Sequence, residues 1–360
     1  MEEFGAAKML RTAYRLTTTR RRTARPSLAL PLQLGAIALA LLAGSAHAQE
    51  KTKITFAHFG TLQNPALTKT IVPLRDMLEA TGKIEVVFYG SGSPYSVPSK
   101  YSELVGEGVV DMAFGGQQFE GGRFPLNVLL GEPFITGDHV KGSRAATRLV
   151  RSIPELGAEF RPNRLLLVAL ASGEQLHGRK PVKNIDDLKG MRVMTTAPSL
   201  QAIVREVGGN VVALPLTAQY ENLQKGVIDL ISGSWQSQLG FKTIEISSHH
   251  YHWDPVMTPV YLVINAKKYD SLPPEAKKVL DDHMTEDMSA KWSSVWTTID
   301  AAAIEEAKKR NHTIVNATPE ERATLRTRFR HVTDARIAEL EAKGLPAKRV
   351  FEAITKQMSE

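Results

Sequence analysis

The side chains best suited to metal chemistry fall together at His249, His250 and His252, with Asp254 two residues further on. Imidazoles beside a carboxylate are the donors a zinc or other transition-metal site uses. Neighbouring histidines on an extended segment point to different sides, so at most two could reach one ion without a turn. The cluster therefore reads as a loop near a cleft, with a secreted metal-dependent enzyme as the competing possibility. Gly115, Gly116, Gly121 and Gly122 bracket Gln117 to Glu120, but the segment lacks the phosphate-loop lysine and the dinucleotide spacing. It reads as a ligand-facing loop at the carboxyl end of a strand, where open α/β sheets meet their ligands. Ser93 lacks the glycine spacing of a nucleophile elbow. The chain has no cysteine, which removes disulfides, thiolate nucleophiles and zinc–thiolate sites. No catalytic set, cofactor or metal is expected, and the protein reads as a binder rather than an enzyme.

The elements that must position these residues follow a repeated order. Residues 53–59 alternate as a strand, 67–80 carry a helical pattern closed by Thr81 and Gly82, and 84–89 form a second strand. A Ser/Gly/Pro loop, a short helix and a strand from Gly108 follow, which is α/β winding around a mostly parallel sheet. The order returns at 191–231, and Gly226-Val-Ile-Asp229 nearly copies Gly108-Val-Val-Asp111. Two similar lobes are expected. The apolar run 164–171 would cross from one to the other and 260–265 would cross back, making a hinge. From about Pro273 the chain is helical, with Met284, Met288, Trp292, Val295, Trp296, Ile299 and Ala303 along one stripe. That stripe is expected to brace the lobes.

Residues 1–48 read as a removable export signal. Arginines between Arg15 and Arg25 precede an apolar run, and Ala46 and Ala48 supply the small residues before a cut at Gln49. The uninterrupted apolar stretch is short of the roughly 20 residues needed to span a membrane. Seven of the 45 basic and two of the 38 acidic residues lie in this segment, so the net charge of +7 falls to about +2 once it is removed. A near-neutral chain without a basic stripe offers no footprint for nucleic acid.

Several segments carry a family resemblance: Asp187-Leu188-Lys189-Gly190, the series Tyr220, Leu223, Gln224, Gly226 and Asp229, then Glu132-Pro133-Phe134, and Asn265 to Pro273. Together the chain resembles the extracytoplasmic solute receptors of tripartite ATP-independent periplasmic (TRAP) transporters, the dicarboxylate-receptor-like family. The resemblance implies an α/β, two-lobed periplasmic-binding-protein clamshell of type II, with a long helix spanning both lobes. It also implies a monomer in the periplasm of a Gram-negative bacterium, closing on a small organic solute and delivering it to the ion-gradient-driven TRAP permease subunits. The same fold feeding an ATP-driven importer or a signalling system is the nearer alternative. Expected boundaries are 1–48 for the signal, 49–171 plus 261–300 for the first lobe, and 172–260 plus 301–360 for the second.

Departures from the family pattern bear on the solute. The position of the family's carboxylate-clamping arginine is Met194, with Arg192 two residues earlier, and a second arginine position near Gly173 carries Glu174 or Gln175. A thioether cannot pair with an anion. A neutral or cationic solute is therefore expected, with Trp235, Trp253 and Asp254 also near the cleft. From placement at strand ends, His58, Phe59, Tyr95, Gln117, Gln118, Phe134, Glu174, Met194, Trp235 and Gln236 are expected to line it.

Overall fold

The computed structural model describes residues 50–359. The export signal and its cut site lie outside the described residues. The first sheet takes β1 (Thr52–His58), β2 (Ile84–Tyr89), β3 (Met112–Gly116) and β4 (Asn163–Ala171). The chain then builds β5 (Gln175–Gly178), β6 (Arg192–Met194), β7 (Asn210–Val211), β8 (Leu230–Gly233) and β9 (His249–His252) of the second sheet. It returns to the first with β10 (Thr258–Asn265) and adds β11 (Thr313–Asn316) to the second. The orders are β2-β1-β3-β10-β4 and β11-β9-β5-β8-β6-β7. In each sheet the βαβ units pair in parallel, while the strands that enter and leave through the hinge, β5 and β10, pair antiparallel with their neighbours.

The near-copied segments do the same job in both lobes. Gly108 and Gly226 take left-handed φ of 75° and 69°, which ends the preceding helix and frees the chain to turn into a strand. Asp111 then accepts from the backbone N–H of Thr55 at 2.8 Å, and Asp229 from that of Arg192 at 2.8 Å. Each carboxylate ties the start of its strand to the neighbouring parallel strand.

Continuous apolar runs in β4 and β10 are buried on both faces. Leu167, Ala169, Val260 and Leu262 join one core and Val168, Leu170, Tyr261 and Val263 the other. β4 is an edge strand, and an open edge needs cover. Hydroxyls supply it. Leu170 N–H donates to Ser143 at 2.8 Å, and Ser289 and Ser293 donate to the carbonyls of Val168 and Leu170 at 2.5 and 2.9 Å. Ser289 and Ser293 belong to the long helix Glu286–Lys309, seated by its small residues against β4. Trp292, Trp296 and Ile299 of that helix pack in the first lobe, and Ala303 and Ala307 against Trp235 and Ile244 of the second. The tryptophan stripe braces the lobes as its spacing implied.

Two placements differ from the expected boundaries. Thr258 to Val260 already pair with β4, so the first lobe resumes before residue 261. The last helix, Ala347–Ser359, buries Ala347, Val350 and Ile354 in the outer core of the first lobe, not the second. Its apolar stripe matches the surface left by the helix His139–Ser152, a pairing that helical periodicity alone could not choose. Among the described residues no helix is long and apolar enough to cross a membrane.

Candidate functional site

The carboxyl ends of β1, β3, β6 and β8 meet around a cleft of about 700 Å³ of atom-free space, part of it open to solvent. That is the position expected of a small-molecule site in an α/β fold. One wall is aromatic: Phe59, Phe114, Phe119, Phe241 and Trp296. Phe59 stacks on Phe114 with centroids 5.5 Å apart and meets Phe119 edge-on at 5.6 Å. Gly116 permits this arrangement, since a Cβ there would fall 2.4 Å from the Phe119 ring.

The opposite end is polar and built from both lobes and the hinge. Gln118, in the turn after β3, donates through Nε2 to Glu174 Oε1 at 2.6 Å, Thr196 Oγ1 at 3.0 Å and Thr258 Oγ1 at 3.2 Å. Thr258 donates to the same Glu174 oxygen at 2.8 Å, and Ser232 donates to the other. The Gln118–Thr196 bond spans the cleft from first lobe to second, so the conformation is closed. At the mouth, Gly240 lets its helix come against Asn64, where a Cβ would lie 2.4 Å from the amide nitrogen. Gln219 on the wall has a buried Nε2 without a protein partner, a donor ready for a solute oxygen.

The crossings between lobes hold one another. Glu174 N–H donates to Val256 O at 2.9 Å, and Gln175 Oε1 accepts from the N–H groups of Trp253 at 2.7 Å and Asp254 at 3.1 Å. Asp254, at a left-handed φ of 47°, also takes bonds from Gln175, Arg322 and His252. Those bonds secure an uncommon backbone conformation.

Of the residues expected on the wall, Phe59, Gln118, Glu174 and Gln236 are there. The others are not. His58 is buried edge-on to Phe88 at 5.4 Å, Tyr95 packs on Tyr89 at 4.8 Å, and Gln117 is buried inside the first lobe. Phe134 meets Trp253 at 6.3 Å in the core of the second lobe, and Trp235 lies 4.6 Å from the His250 ring. Met194 packs with Leu223, Ile228 and Ile231. The physical reason is local: His58 and Phe59 at the end of a strand, and Gln117 and Gln118 or Trp235 and Gln236 in helical turns, are chain neighbours that project in different directions. Placement at a strand end locates the pair but not the member that faces the cleft. Phe119 was passed over inside a loop already read as ligand-facing, Phe114, Thr196, Ser232, Phe241 and Thr258 went unnoticed because nothing in their own residue types marks them, and Trp296 read only as core.

Arg192 does not replace a clamp. Its guanidinium donates to Asp229 at 2.9 and 3.0 Å, and Lys180 pairs with the same carboxylate at 2.9 Å. The Arg192 hydrogen bonds hold Asp229 well below the usual carboxylate range. Arg192→Ala should leave solute affinity within about twofold by calorimetric titration, because the side chain touches no cleft atom; a tenfold loss would return it to the site.

The histidine cluster is not a loop near the cleft. It is β9, paired between β5 and β11 inside the second sheet. His177 Nε2 lies 3.0 Å from Gly233 O, so it donates, leaving Nδ1 to accept from His250 Nδ1 at 2.8 Å. His250 Nε2 then accepts from His312 Nδ1 at 3.0 Å. Three neutral imidazoles in one tautomer set thus satisfy one another. Among the described residues no group of three or more His, Cys, Asp or Glu could hold a metal ion.

Residues 56–340 match the bacterial extracellular solute-binding protein family 7. The 2,3-diketo-L-gulonate-binding periplasmic protein of Escherichia coli K12 is 27% identical over 181 residues, 48% of this chain and 53% of that protein. The match thus spans about half the length of that relative. The fold is shared with a TRAP solute-binding protein of Rhodoferax ferrireducens T118, solved with copurified benzoate: TM-score 0.81, 21% identity, 86% of this chain and 98% of the other. A marine-metagenome TRAP solute-binding protein specific for aromatic acids, solved with 3-hydroxybenzoate, gives a TM-score of 0.79 at 22% identity over 86% and 98% of the two chains.

Proposed function

Because the chain belongs to bacterial extracellular solute-binding protein family 7, we propose that it is the periplasmic receptor of a TRAP transporter. It closes on a small ring-bearing organic solute and presents it to ion-gradient-driven permease subunits. One observation carries the reading: a closed cleft, aromatic on one side and polar on the other, made jointly by two lobes that a direct Gln118–Thr196 hydrogen bond draws together. The aromatic ligands in the two structural relatives support a ring against Phe59, Phe114 and Trp296.

The mechanism needs binding alone. In an open form the solute would touch one lobe; on closure it gains contacts from Gln118 and Phe114 of the first lobe and Thr196, Ser232 and Gln236 of the second. That difference in affinity shifts the open–closed equilibrium. The crossings at 172–174 and 253–257 form the hinge, and the long helix, packed in both lobes, limits the motion to a rotation about it.

Native mass spectrometry of protein purified without refolding, followed by a melting-temperature screen of small acids, amines, alcohols and amides, tests the reading. A true solute in excess raises the melting temperature by mass action. Gln118→Ala should weaken that solute by about tenfold or more, since it removes the cross-cleft donor and one partner of a buried carboxylate. A protein that carries no small molecule and responds to none of the screen is not a receptor of this kind.

A further inference from the structure

The polar end of the cleft presents a negative charge without a positive one. Glu174 is 3% exposed, and its partners Gln118, Thr258 and Ser232 are all neutral. No lysine, arginine or histidine lies among the residues lining the cleft. Arg322 and Arg192 are engaged elsewhere: Arg322 pairs with Asp254, and Arg192, with Lys180, pairs with Asp229.

The direction of the hydrogen bonds sharpens the point. The Gln118 amide hydrogens are shared among three oxygens, and the Thr258 and Ser232 hydroxyl hydrogens both go to Glu174. The Ser232 and Thr258 hydroxyls and one Gln118 bond are spent on the carboxylate, while the Thr196 hydroxyl accepts from Gln118. Lone pairs remain on Glu174 Oε2, which takes only the Ser232 hydroxyl, and on the Ser232 and Thr258 oxygens. A solute carboxylate placed here would meet no cation and a like charge in a dry setting. An ammonium would bring the hydrogens and the sign that are lacking, and its bond to Glu174 would be charge-assisted.

We propose that the solute is an aromatic amine, its ring against the Phe/Trp wall and its ammonium held by Glu174. This rests on the receptor reading above and adds the charge of the cargo. Calorimetric titration with three probes of one shape tests it: 2-phenylethylamine, 2-phenylethanol and phenylacetate. The amine should bind at least about tenfold tighter than either of the others, and Glu174→Gln should remove about tenfold or more of its affinity and abolish its advantage over the alcohol. The ranking on the unaltered protein decides the matter even if the variant fails to fold. Preference for phenylacetate, or an amine affinity unchanged in a folded Glu174→Gln variant, overturns the amine and leaves the receptor standing. Silence of all three probes in a protein that carries a different bound molecule overturns the ring-bearing solute, and the amine with it.

Discussion

Truncating Trp296 to alanine should lower the unfolding free energy by about 3–5 kcal/mol and remove measurable solute binding. The indole is 2% exposed and packs with Phe114 at 6.4 Å and Trp292 at 6.5 Å, so its loss leaves a cavity the helix cannot close. The same ring is a wall of the cleft. It sits on the long helix packed in both lobes, so core and site share a single side chain. Urea denaturation monitored by far-ultraviolet circular dichroism reads the first effect and calorimetric titration the second. Trp296→Phe, which keeps a ring, should restore most of the stability. A loss below about 1 kcal/mol would mean that the helix relaxes into the gap and that the brace is weaker than its packing implies.

The second large effect is a loss of stability in mild acid carried by the histidine chain. Burial holds His177 down to about 3 and His250 down to about 2, against 6.5 in an unfolded chain. Below pH 6.5 the unfolded chain takes up protons that the folded one refuses. Stability is therefore full above pH 6.5 and falls with pH, by about 1.4 kcal/mol per unit for each histidine between roughly 6 and 4. Asp300 opposes this. Burial raises its carboxyl to about 7, so in the same interval the folded state holds a proton that the unfolded state has released. Among these three groups the balance is one proton in favour of acid destabilisation. His250→Gln, which keeps a donor and an acceptor between His177 and His312, isolates the histidine contribution. Denaturation at pH 7, 6 and 5 should show the parent losing about 1.4 kcal/mol more per unit than the variant below pH 6. Parallel lines would show that His250 is free to protonate in the folded state.

Much of the architecture was legible because its signals are local. The glycine that ends a helix and the aspartate three residues later recur at Gly108/Asp111 and Gly226/Asp229, and both pairs perform the same backbone capping. The apolar runs of β4 and β10 and the tryptophan stripe announced the crossings and the brace. The last helix was assigned to the wrong lobe because an amphipathic stripe states that a face will be buried, not where.

The site divides along the same line. Sequence by itself determined the absence of thiol chemistry, the two-lobe order and the loops that reach the cleft. Tertiary structure alone decided that Glu174 faces the cleft while Met194 packs away from it, that Arg192 is tied to Asp229, and that Phe114, Phe241 and Trp296, distant in sequence, form one wall. It also turned what read as a loop near the cleft into a strand whose His250 is bonded to His177 and His312. The physical reason is that composition and periodicity report which residues must be buried or turned, whereas a binding wall is an intersection of surfaces from separate elements. Its membership is fixed only when those elements pack.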